Sequence, residues 1–238
     1  MSGDHPGIIE VVQGGLVPYR DALQWQRRLA QARLEGRLPH DVLLLLEHPA
    51  VVTLGRGSHD ANLLRPDDVE VVEVERGGDV TYHGPGQLVG YPILDLTSHR
   101  QDLHWYLRTL EQALILALTE LGLPAERKAG YTGVWTPRGS RKIASIGVHV
   151  KQWVTWHGFA LNVTTDLAGF DRIVACGIPG VVMTSVEQEL GEGRRGRDLW
   201  ASTVGAVIRG FETAFDVTVT MSRNTVAGIR PAEPSATY

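Results

Sequence analysis

The fold is decided at residues 41–47, where the sequence reads DVLLLLE. The apolar run from Val42 to Leu46 is unbroken, and Pro39 and Pro49 stand just outside the segment. A run this short is typical of a strand rather than a helix. Apolar side chains at consecutive strand positions indicate a strand that is covered on both faces of its sheet. We therefore predict a buried strand at this position.

Strands and helices alternate irregularly on either side of this strand. Helical spacing of apolar residues predicts helices at 19–34, 102–121 and 198–215. Further strands are predicted at 8–12, 51–54, 70–75, 87–96, 133–137, 142–150, 156–163 and 217–220. Pro92 lacks a backbone donor, which predicts an edge position or a bulge for its strand. The mixture argues against a doubly wound parallel sheet and predicts an α/β domain, α+β-like, with a mixed β-sheet flanked by helices.

The composition is that of an ordinary globular chain. With 238 residues, 43% of them hydrophobic and 21% charged, the chain is long enough for one large domain. We predict a single domain over 1–223. The residues at 224–238 contain few large apolar groups, so we predict a mobile C-terminal tail there.

The charge and the single cysteine argue against several classes of function. A net charge of -4 argues against nucleic-acid binding, which needs a basic face. No run approaches the roughly 18 apolar residues that span a bilayer, and the chain start lacks the features of a secretory signal. One cysteine cannot form an internal disulfide or a cysteine-rich zinc site. We therefore expect a cytoplasmic protein.

Cys176 lies in a turn-rich segment, ACGIPG at 175–180, far from any long apolar run. A free cysteine is usually a small buried hydrophobe. A thiolate, by contrast, is a strong nucleophile and needs access to its substrate. The segment leaves both interpretations open.

Lys142 is one of only three lysines in a chain with 20 arginines. Lysine, unlike arginine, can lose its proton in a desolvated setting. In a regular strand Lys142 would share a face with Ala144 and Ile146, and Ser145 would lie on the other face. Such a lysine would be partly desolvated, which favours the neutral amine. An ordinary solvated charge is the alternative interpretation.

A glycine-rich segment, RGGDVTYHGPGQ, occupies residues 76–87. Paired glycines allow a backbone to approach a ligand closely, and His83 could act as a general acid or base. The segment has neither the Walker pattern nor the G-x-G-x-x-G spacing of a dinucleotide loop. The alternative is a tight hairpin connection between the strands predicted at 70–75 and 87–96.

Thr184 and Glu187 have the spacing of a capping box, which predicts a short helix beginning there. A nearby helix N-terminus or a nearby ammonium would favour the thiolate form of Cys176. Taken from the residues alone, these segments predict an acyl-transfer pair of Cys176 and Lys142 beside a glycine-rich pocket.

Together the segments resemble the octanoyltransferase family of lipoate biosynthesis. The resemblance lies in pieces that occur in the family's order between about residues 8 and 215, at 46–56, 76–95, 133–135, 141–147, 157–163, 176–178 and 184–185. It implies a single domain of the biotin/lipoate protein ligase type. It further implies transfer of an octanoyl group from acyl carrier protein to a lysine of the lipoyl domains of 2-oxoacid dehydrogenases and of the glycine cleavage H protein.

The resemblance also implies roles for individual residues. Cys176 would hold the octanoyl group as a thioester, and Lys142 would help to ionise the thiol and shuttle protons. No metal, cofactor, nucleic acid or membrane is implied, and a monomer is favoured. The residues expected to bind the acyl group and the carrier arm are Arg76, Gly77, Gly78, Asp79, Val80, Thr81, Tyr82, His83, Ser145, Ile146, Gly147, Gly158, Phe159 and Ala160.

Three other functions compete with this interpretation. An ATP-dependent lipoate-protein ligase on the same fold would form an adenylate and would need no nucleophilic cysteine. A lipoyl-domain amidotransferase would use the cysteine but would take its octanoyl group from a lipoyl domain. A non-catalytic module that binds acyl carrier protein or lipoyl domains would be expected to have lost Cys176 or Lys142, and both are present.

Overall fold

The computed structural model describes residues 7–66, 68–191 and 197–222. The tail predicted at 224–238 lies outside these ranges, and the extent of a single domain over 1–223 stays a prediction. The helices are α1 (Tyr19–Leu34), α2 (Leu103–Glu120), α3 (Val186–Leu190) and α4 (Arg197–Phe215). The strands are β1 (Gly7–Leu16), β2 (Asp41–Glu47), β3 (Val51–Leu54), β4 (Glu70–Glu73), β5 (Thr81–His83), β6 (Gln87–Ile93), β7 (Val134–Trp135), β8 (Lys142–Lys151), β9 (Val154–Asn162) and β10 (Val217–Met221).

The strands form one large sheet and one small sheet. The seven strands of the large sheet are ordered β10-β1-β2-β6-β9-β8-β7, and the small sheet is ordered β4-β3-β5. Strand β1 runs parallel to both of its neighbours, whereas the pairings from β2 to β7 are antiparallel. This arrangement confirms the predicted mixed sheet flanked by helices.

Strand β2 lies inside the large sheet and is covered on both faces, as its sequence predicts. Leu43 and Leu45 belong to the core that α2 and α4 form on one face of the sheet. Leu44 and Leu46 belong to the core on the other face, where Trp25 of α1 packs. Each face thus receives alternate residues of the same strand. None of the helices described here has the length and apolar character that crossing a membrane requires.

Pro92 marks neither a sheet edge nor a bulge in the pairing of β6 with β2, so both predicted alternatives are wrong. Strand β6 lies between β2 and β9, and Pro92 pairs with Leu43 in register. The ladder between β6 and β9 is interrupted beyond Gly90, which accommodates a residue without an N–H. Thr155 bridges the interruption: its hydroxyl donates to the Pro92 carbonyl at 2.8 Å and accepts from the Leu94 N–H at 3.0 Å.

The glycine-rich segment is not a hairpin connection. It contains β5, which pairs with β3 in the small sheet, whereas β6 belongs to the large sheet. The strand predicted at 70–75 ends at Glu73. Residues 76–87 therefore cross from the small sheet to the large sheet. They form one wall of a cavity that lies between the two sheets.

The helix predicted to begin at Thr184 begins two residues later. Its N-cap is Ser185, whose side chain accepts a hydrogen bond from the Gln188 N–H at 3.2 Å. Ser185 and Gln188 have the capping-box spacing that the sequence analysis assigned to Thr184 and Glu187. The two alternatives are offset by one residue, and both residue pairs satisfy the pattern.

Candidate active site

The thiol of Cys176 is held in a strained turn. Cys176 lies in the 3-10 turn Ala175–Gly177 with a φ of 58°, a left-handed conformation that non-glycine residues seldom adopt. Its N–H donates to the Val80 carbonyl at 2.9 Å. Gly177 follows with a φ of 65°, and a Cβ there would lie 2.2 Å from Asp79 Oδ2. The side chain of Cys176 is only half-buried, so it is not a core hydrophobe.

Lys142 places its amine against this thiol. Lys142 Nζ lies 3.1 Å from Cys176 Sγ and donates to the Thr132 carbonyl at 3.3 Å. It also lies 5.3 Å from the centre of the Trp135 ring, within cation–π range. Lys142 is 2% exposed, so the solvated-charge interpretation is wrong. Within residues 7–66, 68–191 and 197–222, no carboxylate forms an ion pair with it.

A bulge at the start of β8 explains why Ser145 faces the same thiol. Ser145 Oγ lies 3.4 Å from Cys176 Sγ, although regular alternation would place Ser145 and Lys142 on opposite faces. The register between β7 and β8 shifts by one residue, because Val134 pairs with Ala144 while Trp135 pairs with Lys142. One extra residue in a strand reverses the alternation beyond it. The predicted opposite faces are therefore wrong.

Cys176 and Lys142 open into a cavity of about 330 Å³ between the two sheets. Most of the expected binding residues line it: Arg76, Gly78, Asp79, Val80, Thr81, His83, Ser145, Ile146, Gly147, Gly158, Phe159 and Ala160. Eight residues outside that prediction also line the cavity: Tyr19, Tyr91, Gly130, Tyr131, Thr132, His157, Gly177 and Ile178. A sequence signal exists for all of them except Tyr19, since Gly130, Tyr131 and Thr132 directly precede the piece at 133–135 and the other four lie inside the pieces at 76–95, 157–163 and 176–178.

Tyr82 and Gly77 were expected at the cavity, but the structure places them elsewhere. Along β5 the side chains alternate, so Thr81 and His83 line the cavity while Tyr82 packs against Phe170 in the core of the small sheet. The Gly77 N–H donates to the Val148 carbonyl at 2.9 Å. Gly77 therefore joins the glycine-rich segment to β8 rather than facing the cavity.

Arg76 gives the cavity a buried positive wall. Its Nη2 donates to the carbonyl and the hydroxyl of Thr53 at 2.8 and 2.9 Å, and its Nη1 donates to the Gly77 carbonyl at 3.1 Å. Arg76 is 7% exposed, and this burial lowers the pKa of its guanidinium. Among the residues that the structure describes, no carboxylate pairs with it. The Asp79 carboxylate lines the same cavity and acts on Arg76 only through space, so the guanidinium can also stabilise negative charge that develops there.

His83 is neutral and presents an acceptor. Burial lowers its pKa well below the ordinary value. Gln87 Nε2 donates to the Tyr82 carbonyl at 3.2 Å and to Asn162 Oδ1 at 2.9 Å, so Gln87 Oε1 accepts from His83 Nδ1 at 2.7 Å. Because Nδ1 carries the proton, Nε2 keeps a lone pair. His83 can therefore accept a hydrogen bond at Nε2 but does not supply a charge.

The arrangement has the parts that nucleophilic acyl transfer requires. It combines a half-buried thiol, an amine in contact with that thiol, and a cavity for the group being transferred. A thiol next to a proton acceptor is the usual form of an activated nucleophile. The cation of Arg76 and the backbone donors of the glycine-rich segment are available for negative charge that develops during transfer.

Comparison with known proteins identifies close sequence relatives. The model of the lipoyl protein ligase A/B catalytic domain matches residues 18–211. An octanoyltransferase of Gloeobacter violaceus is 57% identical over 178 residues, which cover 74% of this chain and 79% of that protein. An octanoyltransferase of Geotalea uraniireducens is 48% identical over 207 residues, which cover 87% of this chain and 94% of that protein.

Solved structures with the same fold are more distant in sequence. A lipoate-protein ligase A bound with ATP superposes with a TM-score of 0.73 at 18% identity, over 94% of this chain and 91% of that chain. A lipoate protein ligase from T. acidophilum with bound lipoic acid gives a TM-score of 0.71, also at 18% identity and with the same coverage. At this identity the likeness shows the shared fold, which agrees with the expected lipoate protein ligase architecture.

Proposed function

We propose how the site performs its reaction from the premise that this chain belongs to the lipoyl protein ligase A/B catalytic domain family and is an octanoyltransferase of protein lipoylation. The octanoyl donor is acyl carrier protein, and the acceptor is the lysine of a lipoyl domain. Between the two, the octanoyl group is held as a thioester of Cys176. The observation that carries this proposal is the contact of 3.1 Å between Lys142 Nζ and Cys176 Sγ.

In the first half-reaction the Cys176 thiolate attacks the thioester carbonyl of the octanoyl donor. A bond forms between Sγ and the carbonyl carbon, and the bond from that carbon to the sulfur of the carrier arm breaks. The Lys142 ammonium gives its proton to the departing thiolate, which leaves as the thiol of the carrier arm. One thioester replaces another of similar energy, so the step requires no ATP.

In the second half-reaction the amine of the acceptor lysine attacks the acyl-enzyme. A carbon–nitrogen bond forms, the bond to Sγ breaks, and an amide replaces a thioester, which runs downhill. The neutral amine of Lys142 takes the proton that the attacking nitrogen loses. Lys142 thereby returns to the ammonium form beside the Cys176 thiolate. A covalent intermediate of this kind predicts ping-pong kinetics.

The cavity walls suit both the acyl chain and the developing oxyanion. Ala160 and Ile178 are apolar residues among those that line the cavity, which favours a hydrocarbon chain. The Gly77 N–H already donates to the Val148 carbonyl, so within the pair at 77–78 it is Gly78 that we propose as an oxyanion donor. Arg76 would add a positive charge on the same side.

The partners and the setting follow from this chemistry. We favour a monomer as the active unit. A free catalytic thiol stays reduced in the cytoplasm, where we place the reaction. Lipoyl domains of 2-oxoacid dehydrogenases and the glycine cleavage H protein would be the acceptors.

The test is transfer from octanoyl-acyl carrier protein to a purified lipoyl domain in the absence of ATP, followed by the mass of the lipoyl domain. We expect octanoylation by the wild type and none by Cys176→Ser. A requirement for octanoate and ATP would instead indicate a ligase. Transfer only from an octanoylated lipoyl domain would indicate an amidotransferase, and binding without transfer from any donor would indicate a non-catalytic module.

A further inference from the structure

A single peptide unit connects a buried carboxylate on α2 to the amine of Lys142. The Gly133 N–H donates to Glu111 Oε1 at 3.1 Å. The Thr132 carbonyl, which belongs to the same peptide unit, accepts from Lys142 Nζ at 3.3 Å. In a trans peptide the N–H and the C=O point in opposite directions. The Thr132–Gly133 unit therefore lies between Glu111 on one side and Lys142 on the other.

Glu111 is held in place by two cations. It is fully buried, and its Oε2 accepts from Arg108 Nη1 at 2.7 Å and from Arg127 Nε at 3.0 Å. Arg127 also donates to the Arg108 carbonyl at 2.9 Å. Burying a carboxylate is unfavourable unless it is paired and hydrogen-bonded. All the partners needed for that are present, so Glu111 has a fixed position and a fixed direction.

The peptide unit has little freedom to move. Gly133 has a φ of 130°, and a Cβ there would lie 2.6 Å from the Ala144 carbonyl oxygen and 2.9 Å from Lys142 Cε. The backbone at Gly133 thus packs directly on the Lys142 side chain. A shift of this peptide would move both the Thr132 carbonyl and the surface against which Lys142 rests.

We propose that Glu111 is a positioning residue for catalysis, which acts on Lys142 through the Thr132–Gly133 peptide. The carboxylate orients the peptide and polarises it, since hydrogen bonds in a chain strengthen one another. The Thr132 carbonyl then holds the Lys142 amine against Cys176, where an ammonium stabilises the thiolate. The inference rests on the proposed role of Lys142 and adds a residue that the motifs did not include.

The test uses Cys176 as its own probe, because it is the only thiol in the chain. The rate of alkylation of the wild type by iodoacetamide is measured against pH, together with the single-turnover rate of acylation by octanoyl-acyl carrier protein. In Glu111→Gln we expect both rates to fall about tenfold at pH 7, the usual size of a lost hydrogen bond to a charged group. We also expect the onset of alkylation to move to higher pH, while KM for the donor stays the same.

A second variant keeps the test decisive if Glu111→Gln fails to fold. Glu111→Asp keeps the charge that pairs with Arg108 and Arg127 but is one methylene too short to reach the Gly133 N–H as well. We expect it to fold and to show the same slower acylation. The matched control is Glu120→Gln on the same helix, an exposed carboxylate paired with Arg209, which should leave alkylation and acylation unchanged.

A double-mutant cycle separates a positioning role from a general structural role. In a Lys142→Met background, Glu111→Gln should not slow alkylation further, because the group through which it acts is gone. Equal additional slowing in both backgrounds would overturn the proposal, as would wild-type pH profiles for both Glu111 variants. If Lys142→Met itself had wild-type activity, the proposed role of Lys142 would fail instead.

Discussion

Gly177 is the residue next to the nucleophile. Replacing it with alanine should greatly lower the acylation rate and should lower the free energy of unfolding only moderately. Gly177 has a φ of 65°, and a Cβ at this position would lie 2.2 Å from Asp79 Oδ2. Asp79 cannot move freely, because its Oδ2 accepts from Asn62 Nδ2 at 2.7 Å and its Oδ1 accepts from the Val80 N–H at 2.6 Å. The new methyl group must therefore displace either the carboxylate or the turn that carries Cys176.

The structure sets the size of the effect. The left-handed backbone costs an alanine about 1–2 kcal/mol. Loss of the bond from Asn62 to Asp79 adds about 1–2 kcal/mol at this half-buried position. For a chain of this size, a total of about 2–4 kcal/mol lowers Tm by about 4–16 °C. A displacement of Cys176 by about 1 Å would lower the acylation rate by about a hundredfold.

Gly180→Ala provides the matched control in the same loop. Gly180 has a φ of 71°, but nothing lies within 4 Å of its Cβ position. It should therefore lose only the backbone contribution of about 1–2 kcal/mol and keep its acylation rate within about threefold. Tm by calorimetry and the single-turnover rate with octanoyl-acyl carrier protein are measured for both variants. Equal rates for Gly177→Ala and Gly180→Ala would refute the role assigned to the contact with Asp79.

Two further substitutions test the amine of Lys142 and the buried side chain of His48. Lys142→Arg should lower the single-turnover rate of acylation by at least about a hundredfold, because arginine keeps its charge but cannot give up its proton; a fully active variant would mean that only a positive charge is needed beside Cys176. Burial lowers the pKa of His48 from 6.5 to about 4, so the unfolded chain binds its proton near pH 6.5 and the folded chain does not. Stability is therefore lost as pH falls from about 6.5 to about 4, and His48 should account for about 2 kcal/mol of the loss between pH 7 and pH 5. Urea unfolding at pH 7 and pH 5 should show that His48→Gln loses about 2 kcal/mol less unfolding free energy between the two pH values than the wild type does. An equal loss in both proteins would contradict the lowered pKa of His48.

The fold could be predicted where the hydrophobic pattern is local. The run at 41–47 is buried on both faces, and α2 occupies 103–120 where its leucines recur at helical spacing. The prediction for Pro92 was wrong because the hydrogen-bond ladder between β6 and β9 is interrupted there, and the Thr155 side chain bridges the interruption. A side chain from another strand supplies that compensation, so no pattern around Pro92 indicates it.

The site could be predicted only in part, because its geometry comes from contacts distant in sequence. The residues alone suggested a reactive Cys176 and a desolvated Lys142, and the family resemblance joined them. The bulge that turns Lys142 and Ser145 toward one thiol is a difference of one residue in strand register. Glu111 was missed because a glutamate in the middle of an amphipathic helix is typical of an exposed face. Only the packing of α2 against Gly133 shows that its carboxylate is buried.

The central claim is that the octanoyl group passes through a thioester on Cys176. The most direct measurement is the intact mass of the protein after mixing with octanoyl-acyl carrier protein, without ATP and without an acceptor. We expect a gain of one octanoyl group, absent in Cys176→Ser and discharged when a lipoyl domain is added. A protein that octanoylates the lipoyl domain at full rate without ever gaining this mass, or a Cys176→Ser variant that keeps the activity, would contradict the covalent mechanism.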